Sequence, residues 1–161
     1  MMKKYIVIVI SLILCFALGL WLYTYCTTPD NDLSQESLGD VSVNQPFKEI
    51  GNDFEIDPKI QLEGKSFYHA KDSKGLVIRK DNKHDRITAI VLFKDNHVYT
   101  SRDITIGSAK QEVIDAYGDT YKKSILPKQQ TQFHYKDKED HVGMKFIFKG
   151  DKVTRIELFE E

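Results

Sequence analysis

From Tyr5 to Pro29 the chain carries no charged residue. No other feature limits the possible folds as much. A helix in water needs a polar face, and this stretch offers none. At about 1.5 Å rise per residue, a helix over Tyr5–Tyr25 would span roughly 31 Å, the thickness of a bilayer core. Trp21, Tyr23 and Tyr25 gather at its C-terminal end, where amphipathic rings favour the membrane–water boundary. Lys3 and Lys4 precede it, and no basic residue follows before Lys48. The positive-inside bias then predicts a cytoplasmic N-terminus and an extracytoplasmic remainder.

Residues 1–26 are therefore read as a cytoplasmic stub and a single-pass signal-anchor helix. Two processed forms compete with this reading. Ala17-Leu18-Gly19 offers small residues for signal cleavage, but cutting there leaves Leu20–Tyr25 as an apolar terminus. A lipoprotein needs a small residue before the modified cysteine, and Cys15 follows Leu14 while Cys26 follows Tyr25. All three routes deliver the rest of the chain to the same side of the membrane.

Lys3 and Lys4 are the only charges among residues 1–29, so 21 basic and 24 acidic residues remain beyond them. That balance is mildly acidic, and no run of five like charges occurs. Nothing reads as a nucleic-acid arm. Cys15 and Cys26 both lie in or beside the apolar run. The remainder has no disulfide, no thiol nucleophile and no cysteine metal site.

Residues 27–40 (TTPDNDLSQESLGD) are polar and acidic and read as a flexible tether. Beyond them the chain repeats itself. Val41-Ser-Val43 matches Ile104-Thr-Ile106, and Ile50 and Phe54 match Val113 and Tyr117, at an offset of 63. Phe67 matches Phe133, and Ile87–Phe93 matches Val153–Phe159, at an offset of 66. The expectation is two tandem units, 41–101 and 102–161, forming one compact domain.

Each unit reads as a short helix followed by strands. Ser108 is placed as an N-cap with Gln111 as its capping-box partner. Val113, Ala116 and Tyr117 share a helix face, and Gly118 suits a left-handed C-terminal position. In the first unit Pro46 opens a helix carrying Phe47, Ile50 and Phe54. Strands are predicted at 132–135, 142–149 and 152–159, the last two joined by Gly150-Asp151. Met144, Phe146, Phe148, Thr154, Ile156 and Leu158 should face inward, as should Phe67, Leu76, Ile78, Ile90 and Leu92. The opposite face of the first unit is also apolar, with Val77, Ala89, Val91 and Phe93. Coverage by the other unit is preferred over exposure to a partner.

The run Ile104-Thr-Ile-Gly-Ser-Ala-Lys-Gln-Glu-Val-Ile-Asp-Ala-Tyr-Gly118, then Phe133-His-Tyr135, then Lys152-Val-Thr-Arg-Ile-Glu-Leu158, resembles the repeat of the beta-lactamase-inhibitor-protein-like fold. It is similar as well to the envelope-assembly lipoproteins of the SmpA/OmlA type and to extracytoplasmic Gram-positive proteins of the YjgB type. Both copies together cover about 115 residues. The first copy departs from the pattern, with Asn44 and Glu55 in place of the two glycines. The resemblance implies an α+β fold, a curved antiparallel sheet with helices on one face and a concave face free to bind protein. No functional residue carries over by motif.

The five histidines, His69, His84, His97, His134 and His141, form no H-x-x-x-H pattern, and no metal or other cofactor is expected. There is no G-x-S-x-G, no phosphate loop and no dinucleotide fingerprint. Glu49, Glu112, Glu139 and Glu157 fall where solvated faces are predicted. No catalytic residue is assigned, and the chain is read as non-enzymatic. The expected function is a membrane-anchored extracytoplasmic protein-binding module of a bacterial envelope, with an envelope or secreted protein as partner and no nucleic acid. The other reading is a tethered inhibitor or immunity protein against a secreted enzyme or toxin. The candidate surface comprises Tyr68, His134, Tyr99, Tyr121 and Tyr135, since aromatic side chains are the usual interface anchors.

Overall fold

The computed structural model describes residues 2–27, 30–60, 62–73 and 75–161, with the side chains of residues 2–8, 21 and 24–27 outside that description. Two α-helices and a large antiparallel sheet make an α+β protein. Helix α1 is Met2–Thr27 and helix α2 is Lys110–Tyr117. A two-stranded ribbon pairs β1 (Ser37–Leu38) with β2 (Val41–Ser42).

The large sheet has eight strands: β3 (Phe54–Ile56), β4 (Lys65–Ala70), β5 (Leu76–Asp81), β6 (Arg86–Phe93), β7 (Lys122–Leu126), β8 (Gln130–Asp137), β9 (Val142–Lys149) and β10 (Lys152–Glu160). Their order is β3-β4-β5-β6-β10-β9-β8-β7, antiparallel throughout. Two four-strand meanders thus meet where β6 pairs with β10. Gly150, at φ 62°, turns β9 into β10, and Lys149 faces Lys152 across the turn.

Alternation explains the two faces. Met144, Phe146, Phe148, Ile156 and Leu158 are buried and join Ile78, Ile90 and Leu92 in one core. At β10 the inward residue is Val153 rather than Thr154. Thr154 is the extra residue of a bulge between Val153 and Arg155, and a bulge shifts which side chain faces in. Thr88 is the equivalent extra residue in β6, between Ile87 and Ala89. Both hydroxyls donate to a carbonyl on the neighbouring strand, Thr88 to Arg79 at 3.2 Å and Thr154 to Ile147 at 3.1 Å.

The core face is covered by α2, by two 3-10 turns and by residues 30–43. Val113 and Tyr117 of α2 are buried. The N-cap is Ala109, one residue beyond the predicted Ser108. Glu112 accepts from the Ala109 N–H at 2.5 Å, the role expected of Gln111. Ser108 Oγ instead accepts from Thr105 N–H at 3.1 Å. Gly118 has φ 83° and ψ 180°, a region open essentially to glycine alone.

The predicted first-unit helix is replaced by 3-10 turns at Phe47–Glu49 and Gly51–Asp53. Ile50 between them leaves helical geometry at φ −120° and ψ −4°. Gly51-Asn52-Asp53 has low helix propensity, and a Cβ at 51 would sit 3.0 Å from the Phe47 ring.

Residues 30–40, expected as a free tether, pack onto the domain. Leu33 and Leu38 are buried in the core. Glu36 is 5 % exposed and meets Arg102 Nε at 2.6 Å, Ser101 Oγ at 2.6 Å and Tyr117 Oη at 2.9 Å. Asn31 N–H donates to Lys136 O at 2.8 Å. A short polar segment can be ordered by two apolar anchors and one satisfied buried charge, and here it is.

On α1 the described apolar side chains stand exposed, Leu12 at 65 % and Phe16 at 70 %. Among the described residues no helix is long and apolar enough to cross a membrane.

Candidate binding face of the sheet

Cross-strand register defines the face away from the core. One row runs Phe67, Arg79, Ala89, Phe159, Gly143 and Lys136. The next runs His69, Val77, Val91, Glu157, Lys145 and His134. A third takes Phe93, Arg155, Ile147 and Gln132. The face is therefore apolar over β4–β6 and charged over β8–β10.

A groove of about 550 Å³ lies on it. Val77, Ala89 and Val91 make the floor, and Phe67, Phe93, Phe159 and Ile60 make the walls. Apart from buried Ala89, these residues are half-buried or exposed. The greasy face of the first half is thus not covered by the second half. From the second half Phe159 adds the one aromatic ring among the described lining residues, with Lys145, Arg155, Glu157 and Glu160 forming a charged rim beside it. Phe159 lies flat because its partner Gly143 has no side chain: a Cβ there would come within 2.6 Å of the ring. Lys145 Nζ sits 4.2 Å from the Phe159 centroid, a cation–π contact.

The polar groups around the groove are mostly paired. Arg155 Nε meets Glu157 at 2.6 Å, and Arg86 meets Glu160 at 2.6 Å. His69 Nε2 lies 2.7 Å from Asp57, and this hydrogen bond, with one from the Lys59 N–H, lowers the Asp57 pKa. Arg79 spends its guanidinium on Thr88, Nε to the hydroxyl at 3.0 Å and Nη2 to the carbonyl at 3.2 Å. Among the described residues neither Arg79 nor Lys145 has a carboxylate within salt-bridge distance.

The five predicted surface residues do not converge. His134 is on the charged half of this face. Burial lowers its pKa, partly offset by Glu161. Its Nε2 is 2.8 Å from Glu161 Oε1 but off the line a hydrogen bond requires. Tyr68 points the other way, into the core side, with its ring 4.4 Å from Phe47. The register pairs Tyr68 with core Ile78 and puts Phe67 opposite Arg79, reversing the predicted faces of 67 and 68. Tyr121 stacks on Phe133 at 3.8 Å, half-buried. Tyr135 is 0 % exposed, with its hydroxyl bonded to Gly118 O at 2.9 Å. Tyr99 is exposed at 47 % but lies in the segment 94–109 between β6 and α2. Sequence reasoning missed Phe67, Phe159 and Arg79 as groove residues. The signal was the aligned pair Phe93 and Phe159 at the ends of matching strands.

Among the described residues no group of three or more His, Cys, Asp or Glu side chains is placed to hold a metal ion. No family model, curated protein or solved structure matches this chain.

Proposed function

We propose that this chain is a membrane-anchored extracytoplasmic protein-binding module, with the groove of the outer sheet face as its docking surface. The observation that carries the reading is an apolar groove on a sheet face that, among the described residues, no helix covers. Exposed apolar area of this kind marks interaction sites, and three aromatic walls are the usual anchors. The anchor rests on the uncharged run Tyr5–Tyr25 and on the exposed apolar side chains of α1.

The domain is further read as two copies of one unit, as the resemblance to beta-lactamase-inhibitor-protein-like repeats implies. Paired hydrogen bonds support this at the offsets of 63 and 66. Asn44 N–H donates to Ile87 O, and Gly107 N–H to Val153 O. Ile87 N–H donates to Gln45 O, and Val153 N–H to Ser108 O. Phe47 N–H donates to Asp85 O, and Lys110 N–H to Asp151 O. Asn44 and Gly107 both adopt positive φ, which asparagine tolerates better than most residues. Pairs between β6 and β10 map onto each other about Val91 and Glu157.

The test is photo-crosslinking in whole cells from a benzoylphenylalanine placed at Val91, with a second at exposed Ile125 on β7 as control. A discrete protein adduct from 91 and not from 125 supports the module. Absence of any adduct from 91 removes it. A soluble enzyme captured with nanomolar affinity makes the module a tethered inhibitor or immunity protein.

A further inference from the structure

Charge on this face is segregated in a way the sequence total conceals. Residues 30–161 carry more acidic than basic side chains. Yet by strand alternation β8–β10 turn Lys136, Lys145, Lys149 and Arg155 outward, against Glu157 and Glu161. The acids are already used, Glu157 by Arg155, Glu161 by Lys136, and Glu160, which also lines the groove, by Arg86. Arg79 adds a further cation within the groove and, among the described residues, bonds to neutral atoms of Thr88. An occupant that fills the groove and brings no negative charge would bury Arg79 and Lys145 against apolar surface without a counter-ion, which is costly.

We infer that the groove takes a partner protein segment in which a large apolar side chain, aromatic or leucine, stands within two residues of a carboxylate. The apolar side chain enters between Phe67, Phe93 and Phe159 over Val91. The carboxylate meets Arg79 or Lys145, which flank Phe159 from β5 and β9. Thr88 takes the Nε–Nη2 edge of Arg79 and holds the guanidinium in place, which leaves the Nη1–Nη2 edge of the planar group to meet a carboxylate. Lys145 is already parked over the Phe159 ring, so it reaches an incoming acid with little further loss of freedom. This rests on the protein-binding reading and adds the chemistry of the partner.

The test is a phage-displayed random twelve-residue library selected on the full chain in detergent micelles. Counter-selection uses a Val91→Arg chain whose circular dichroism matches the parent. Expected enrichment is for Asp or Glu within two positions of Trp, Phe or Leu. A synthetic peptide of that consensus should bind at least tenfold tighter than its Lys-for-Glu counterpart. Lys145→Glu and Arg79→Gln should each weaken it about tenfold, and binding should fall as salt rises. Enrichment of basic or uncharged sequences, or indifference to Lys145→Glu, overturns the inference. So does equal affinity for a labelled 20-nucleotide RNA. If the library gives nothing while Val91 still crosslinks to a protein in cells, the carboxylate chemistry is wrong and the module stands. If both fail, the groove is not a docking surface.

Discussion

Glu36 shows at residue scale how one side chain orders a segment. Its carboxylate accepts from Arg102, Ser101 and Tyr117 in a place almost closed to water. Glu36→Ala leaves the Tyr117 hydroxyl buried without its acceptor, and burial together with Glu36 already pushes that phenol's pKa upward. The expected cost is about 2–3 kcal/mol in urea unfolding. Nothing in the sequence marks Glu36 apart from its acidic neighbours. Its role comes from Arg102, which lies 66 residues away. His134 predicts a pH effect. Its folded pKa lies below the ordinary 6.5 because of burial, so the unfolded chain protonates first as pH falls. Stability is then lost as pH drops through 6.5. Glu161 acts in the same direction lower down. Burial resists its ionisation, but Lys136 and His134 outweigh that and hold its pKa below 4.5, so stability is lost again as pH falls through its folded value. The melting temperature should decline from pH 7 to 5.5, and His134→Gln should flatten that part of the profile while leaving the decline below pH 4.5.

At the scale of elements, strands were more legible than helices. β9 and β10 begin where the alternation predicts, because Met144, Phe146 and Phe148 need one buried face and Gly150 permits the turn. Face assignment failed where a single residue shifts the period. Counting in twos places Thr154 inward, and the bulge moves Val153 there instead. The alignment of Phe67 with buried Phe133 points position 67 inward, but Phe47 offers Tyr68 a ring to pack on, and Tyr68 takes the core side instead. The stripe Phe47, Ile50, Phe54 has helical spacing, but three weak helix formers, Gly51, Asn52 and Asp53, interrupt it before Phe54, and 3-10 turns result. The bulges give a test. Thr88→Val removes a hydroxyl that both donates to Arg79 O and accepts from Arg79 Nε. Thr154→Val removes only a donor to Ile147 O. The expected losses are about 2 and about 1 kcal/mol in urea unfolding. Equal losses would mean that the Arg79 contact contributes nothing. Gly118→Ala should cost about 1–3 kcal/mol, because its backbone lies in a region that alanine rarely enters.

At the scale of the whole molecule, both halves serve one sheet, and the groove lies beside their junction, a location no local pattern could reveal. Charge segregation is equally invisible along the chain, since Lys136, Lys145 and Arg155 come together only through register. A variant lacking residues 30–40 should expose the core face now closed by Leu33 and Leu38, and should bind more of a hydrophobic dye than the full chain does.

The docked 30–43 segment also sets a distance. Asn31 is bonded to Lys136 and α1 ends at Thr27, so four residue steps, at most about 14 Å, separate them. With α1 in lipid as proposed, the domain rides on a short leash. It sweeps a thin layer above the bilayer and searches laterally instead of sampling the bulk. A partner is met only if its recognised segment lies at that height, whether it diffuses in the same membrane or arrives from outside. Altitude, as much as affinity, then becomes a means of choosing partners.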